Sequence, residues 1–139
     1  EAFACAGIPY LPVDIVAAED CTVMFLNGKT LLNTCDNSCT FHHTLIRNLL
    51  GIVAQKNMYL NQKIKYTSRK TTREKLMAYL TDQAKLKRSN DFTIPFNRQE
   101  LADYLGVERS AMSAELGKLT KLGILQTQRS HFTLLKPLD

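Results

Sequence analysis

Between residues 40 and 66, apolar positions recur in two seams of alternating four- and three-residue steps. Ile46, Leu50, Val53, Asn57, Leu60 and Ile64 form one; Leu45, Leu49, Ile52, Lys56 and Tyr59 form the other, one residue earlier. The stretch holds no proline, and Gly51 is its only glycine, so the spacing predicts a helix from about Thr40 to about Tyr66. At ~1.5 Å per residue it would be ~40 Å long, more than a small domain needs. One stripe is expected to pack within its own protomer and its neighbour against a partner helix, giving a homodimer through Leu45, Ile46, Leu49, Leu50, Val53, Asn57, Leu60 and Ile64. Asn57 would fix register at some cost in stability. The opposing reading packs the helix wholly inside one protomer, with Asn57 at its edge.

Upstream, Val13–Val16 and Val23–Leu26 flank Glu19-Asp20 and read as two short strands, apolar on both faces. Asn27-Gly28 suits a hairpin turn, although Lys29–Asn33 reads better as a short helix, and Asn33–Cys39 is turn-rich.

Downstream the pattern is sharper. Thr71-Thr-Arg-Glu74 is a capping box, and Leu76, Met77, Leu80 and Ala84 give the apolar face of the helix it starts. Lys85–Asn90 reads as a polar, basic connection, and Phe92–Pro95 as a short strand stopped by the proline. Asn97 and Glu100 repeat the cap logic. They open a helix with Leu101, Ala102 and Leu105 facing inward, ending near Tyr104 before Gly106. A second helix is expected from about Arg109 to Lys121, with Met112, Leu116 and Leu119 on the core side and Gly123 as its stop. Two helices joined by a tight glycine turn make a helix-turn-helix. Ile124–Thr127 and Phe132–Leu135, around the tip Gln128-Arg129-Ser130, add a hairpin wing.

An α-helix fits the major groove of duplex DNA, where Arg reads a guanine edge and Ser bonds several bases. The outward face of the second helix offers Arg109, Ser110, Ser113, Ala114 and Lys118. Asn97, Arg98, Gln99, Arg129 and His131 are placed to meet phosphates, which orient the protein without reading sequence. Glu108, at the start of that helix, is a weak cap and repels a nearby phosphate. Each of these side chains also has a plainer role as a solvated polar residue; Lys118 and His131 are the clearest instances.

Charge sharpens this direction. The 139 residues carry a net +5, but residues 1–40 hold Lys29 against five acidic groups, a net of −4, leaving +9 on residues 41–139. A polyanion is drawn to the second part. With 45% hydrophobic and 22% charged residues, a packed core is expected rather than disorder. No apolar run is long enough to span a bilayer, and no secretory leader is visible. A cytoplasmic protein is expected. The start at Glu1, in mid-pattern, reads as a fragment. Cys5, Cys21, Cys35 and Cys39 are expected to be free thiols, partly buried and structural. Cys35, Cys39, His42 and His43 invite a metal reading, but the C-x3-C spacing is single and loose for zinc.

Three stretches carry a family resemblance: Thr71–Leu76, Phe92–Val107 and Arg109–Ser113. In them the chain resembles the Crp/Fnr family of regulators, with weaker similarity reaching back through Glu1-Ala-Phe-Ala. The resemblance implies an α+β chain with a partial β-roll effector domain of the cyclic-nucleotide-binding type (1–40), a dimerisation helix (41–68) and a C-terminal winged helix-turn-helix DNA-binding domain (69–139). It also implies transcription regulation as a homodimer, with RNA polymerase as a partner. Departures qualify it. Leu11 and Pro12 stand where cyclic-nucleotide-binding members carry an Arg-Ser pair, so cyclic AMP is not the expected effector, which stays unidentified. The N-terminal cysteine cluster of iron–sulfur members is absent. Ser110 and Ala114 replace the Glu and Arg of many members, so their operator does not transfer.

The expectation is therefore a sequence-specific double-stranded DNA-binding regulator, with no catalytic residues, no metal and no resident cofactor. A winged helix used for protein association is the rival. A thiol or metal enzyme on Cys35, Cys39, His42 and His43 ranks behind, because no acid–base pair, phosphate loop or oriented nucleophile accompanies them.

Overall fold

The computed structural model describes residues 14–25, 27 and 39–135. Its elements follow in the order α1 (Thr40–Thr67), α2 (Thr72–Lys87), β1 (Asp91–Thr93), α3 (Arg98–Leu105), α4 (Arg109–Lys121), β2 (Leu125–Gln128) and β3 (His131–Leu134). The chain falls into two compact units, Glu1–Met58 and Tyr59–Asp139.

In the first unit, residues 14–25 contain no strand, which corrects the two strands expected there. Ile15, Val16, Val23, Met24 and Phe25 are all largely exposed. A strand exists only through a paired row of N–H and C=O groups, and a short apolar run alone does not provide that pairing. The β-roll remnant is thus not supported at the described positions; Leu11, Pro12 and the segment 29–38 lie outside them.

Helix α1 has the expected extent. Much of its apolar stripe stays exposed among the described residues: Leu50 is 64% exposed, Leu60 55% and Ile64 61%. Leu45, Ile46 and Leu49 are half-buried, Asn57 is exposed, and Tyr66 is the one fully buried residue of the helix.

The second unit holds the core. It begins at Tyr59, inside α1, and the last turns of that helix carry core aromatics. Tyr66 meets Tyr79 edge-on at 5.5 Å between ring centroids and Tyr104 at 6.2 Å, while Tyr59 lies 5.8 Å from Tyr104. Phe96 closes the cluster, 4.9 Å from Tyr104. Burial pushes the phenol pKa of Tyr66 and Tyr79 well up; Asp82, which accepts from Tyr66 Oη at 3.0 Å, adds to the effect at Tyr66.

Helix α2 starts at the expected capping box, with Thr71 Oγ1 accepting from Glu74 N–H at 3.1 Å. It continues through Lys87, three residues into the stretch expected as connection. Arg88 closes it with φ +52°, a left-handed cap filled by a non-glycine residue, which gives no signal in the sequence. Leu76, Leu80 and Ala84 are buried as expected, joined by Tyr79.

The three strands form an antiparallel sheet in the order β1-β3-β2, with Phe92 opposite Phe132 and Thr127 opposite Phe132. Both wing strands are displaced by one residue from expectation, so the turn is Arg129-Ser130 alone. Phe92, Phe132, Leu125 and Leu134 belong to the core, where β2 packs against α4 and β1 against α2. Phe92 and Phe132 stack at 6.3 Å.

Candidate nucleic-acid interface

Helices α3 and α4 are set by their caps and the turn between them. Asn97 Oδ1 accepts from the N–H groups of Gln99 (2.9 Å) and Glu100 (3.0 Å), while Glu100 returns to the Asn97 N–H at 2.7 Å. At the far end, Gly106 sits at φ +60°. Val107 N–H donates to the Ala102 carbonyl at 3.0 Å and Gly106 N–H to Asp103 at 3.2 Å, the two-bond closure that a left-handed residue permits. Lys75 Nζ adds a bond to the Gly106 carbonyl at 3.2 Å, tying α2 to the turn. Glu108 is the N-cap of α4 and makes no side-chain capping bond, the weak cap expected.

The packing leaves one face of α4 outside. Met112, Leu116 and Leu119 are 0–3% exposed, with Leu101, Ala102 and Leu105 at 0% opposite them. Arg109, Ser110, Ser113, Ala114, Gly117 and Lys118 are all exposed. The residues expected to read DNA therefore share one open helical face. Along one border of that face, Glu115 accepts from Arg73 Nε at 2.5 Å and from Lys118 Nζ at 3.3 Å. The Arg73 bond, helped by Lys118 and opposed by partial burial, holds the Glu115 carboxyl below the usual carboxylate range. Lys118 is thus moored at the edge of the face, although its side chain stays 66% exposed.

Along the opposite border runs a cleft of about 360 Å³, lined by Arg98, Ser113, Gly117, Thr120, Lys121 and Thr127. Gly117, Thr120, Lys121 and Thr127 were not picked out from the sequence. A glycine in mid-helix could have drawn attention, since it costs about 1 kcal/mol against alanine. A Cβ added at Gly117 meets nothing within 4 Å, so packing within the chain does not require that glycine.

The expected phosphate contacts are less uniform. Arg129 is exposed at the wing tip, held at φ +54°. The tip is anchored beneath it: Ser130 Oγ donates to the Phe96 carbonyl at 2.9 Å, and the Ser130 carbonyl accepts from Ile94 N–H at 3.0 Å. Asn97 and Gln99 are exposed but engaged, Asn97 as cap and Gln99 through a 2.9 Å bond from Nε2 to Asp103. His131 Nε2 lies 2.6 Å from Asp91 Oδ1, so its ring is held across the sheet. Arg98 turns inward toward Thr127.

Cys21 is an exposed thiol, not a partly buried one, and Cys39 is half-buried; neither forms a disulfide. Cys39 Sγ stands 3.2 Å from His42 Nδ1; Cys5 and Cys35 lie outside the described residues. Among the described residues no group of three or more His, Cys, Asp or Glu is arranged to hold a metal, and no helix is long and apolar enough to cross a membrane.

Residues 74–138 match the family model of the Crp-like helix-turn-helix domain. That span takes in most of α2, both helices of the motif and the whole wing, and it supports the Crp/Fnr-type resemblance drawn from the sequence. The C-terminal part of the chain is therefore similar to the Crp-like helix-turn-helix domain. No curated protein matches the chain.

Proposed function

We propose that the protein is a transcription regulator that binds duplex DNA sequence-specifically as a homodimer, with α4 as recognition helix. The observation that carries this is the division of α4: an inward face at 0–3% exposure and an outward one bearing Arg109, Ser110, Ser113 and Ala114, all exposed to solvent. Arg109 stands in the first turn, where a recognition helix meets base edges. Arg129 at the anchored wing tip meets the backbone, and the +9 charge of residues 41–139 supplies the field.

The uncovered stripe of α1 supports dimerisation: Leu50, Val53, Leu60 and Ile64 keep 38–64% of their surface exposed in one chain, and a second copy of the helix would cover them. Two α4 helices would then enter successive major grooves about 34 Å apart. An effector other than cyclic AMP would shift the population of the DNA-competent dimer. RNA polymerase is the partner this reading carries, the cytoplasm its compartment, and no catalysis belongs to it.

A salt titration with random-sequence duplex tests the reading. Phosphate neutralisation makes affinity fall steeply as salt rises, with a slope of about −0.9 per phosphate contacted. Binding that is absent or indifferent to salt leaves the wing and helix to protein association instead.

A further inference from the structure

Arg98 is the first residue of α3, where a cation would ordinarily face solvent and a passing phosphate. Its surroundings give it another task. Nη2 donates to Thr127 Oγ1 at 2.6 Å, and that hydroxyl in turn donates to the His131 carbonyl at 3.1 Å. The guanidinium carbon stands 5.0 Å from the centroid of the Phe132 ring, within cation–π range. Thr127 and Phe132 are cross-strand partners in β2 and β3, so a single side chain grips both wing strands from the start of the helix-turn-helix. The grip is partly desolvated: burial lowers the Arg98 pKa, and Nη1 is buried with no protein partner. A planar fork with fixed donors suits such a grip, where a flexible ammonium would not.

We propose that Arg98 is a positioning residue that clasps the wing at a set distance from α4, fixing the width of the cleft between Thr127 and the Ser113–Gly117–Lys121 edge. Its consequence for DNA rests on the function proposed above; the clasp itself is a property of the free protein. A wing held in place fixes how deeply α4 can enter a groove, so the clasp serves discrimination between sequences rather than bulk attraction to DNA.

The test uses the whole chain and three variants, Arg98→Gln, Thr127→Val and Thr127→Ser. In the free protein, amide hydrogen exchange across residues 125–134 should speed about tenfold in Arg98→Gln and Thr127→Val, as the wing opens locally, and stay at the wild-type rate in Thr127→Ser, which keeps the hydroxyl. With DNA, affinity for a duplex selected from a random pool, relative to random duplex, should fall about tenfold in the first two variants while the salt slope holds. A simple loss of stability would not move that ratio in folded protein. A slope reduced by about 0.9 in Arg98→Gln, with wing exchange unchanged, overturns the proposal and makes Arg98 a direct phosphate contact. If the wild-type chain binds no duplex, the regulator reading fails alone, and the exchange rates still decide the clasp: faster in both variants upholds it, unchanged in both refutes it.

Discussion

The buried faces of α3 and α4 and the long stripe of α1 are written in the same alphabet of leucine, isoleucine and methionine, yet they end in opposite states. Leu101, Leu105 and Met112 are 0% exposed in one chain, whereas Leu50, Leu60 and Ile64 keep 55–64% of their surface. Periodicity states that a face will be covered; it does not state by what. The short helices lie within reach of three strands and of each other, so their apolar faces close on the same protomer. A helix of 28 residues offers more surface than the described parts of its own chain cover.

This contrast sets the largest expected effect. Leu105→Ala empties a closed site and should cost about 2–5 kcal/mol in urea unfolding. Leu50→Ala should cost less than about 0.5 kcal/mol in dilute protein, as exposed substitutions do, and should instead weaken dimerisation in sedimentation equilibrium. Equal losses for the two variants at monomeric concentrations would erase the distinction between the regions.

Arg109→Ala probes the open side of the same helix. It should reduce affinity for a selected duplex by about 1–3 kcal/mol and relax preference at one base position, while unfolding shifts by no more than about 0.5 kcal/mol. A gel shift at fixed salt reads the first and urea the second. Gly106→Ala is expected to cost about 1–2 kcal/mol, since φ is +60°. The added Cβ would come no closer than 3.9 Å to Thr67 Cγ2, so the cost is backbone strain and not collision.

The smallest effect concerns the ion pairs at the border of α4. The folded-state pKa of Glu115 is lowered, chiefly by Arg73. Its contribution to stability is therefore present above the ordinary glutamate value of 4.5 and is lost as pH falls through the lowered one. Arg73→Ala should be slightly less stable than wild type at neutral pH and indistinguishable well below pH 4.5. A difference that grows on acidification would contradict that assignment.

Most of the C-terminal unit was legible because its signals are local. Thr71 with Glu74, Asn97 with Glu100, and Gly106 each satisfy backbone groups within four residues, and such rules need no knowledge of the rest of the fold. What escaped depends on distant partners or on conformations that leave no mark on residue choice. Arg88 and Arg129 adopt positive φ without being glycine, so the end of α2 and the wing turn were displaced. Tyr79 belongs to the core through Tyr66 and Tyr104, residues far off in sequence. The inward turn of Arg98 depends on Thr127, 29 positions away. At residues 14–25 short apolar runs promised strands, but pairing is a property of two segments and not of one.

The central claim is that the open face of α4 lies in the major groove, and guanine methylation interference tests it most directly. N7 of guanine projects into that groove. Methylating it in a selected duplex should block binding at two clusters of positions about 34 Å apart, one for each protomer. Undiminished binding to duplex methylated throughout its major groove would contradict the account.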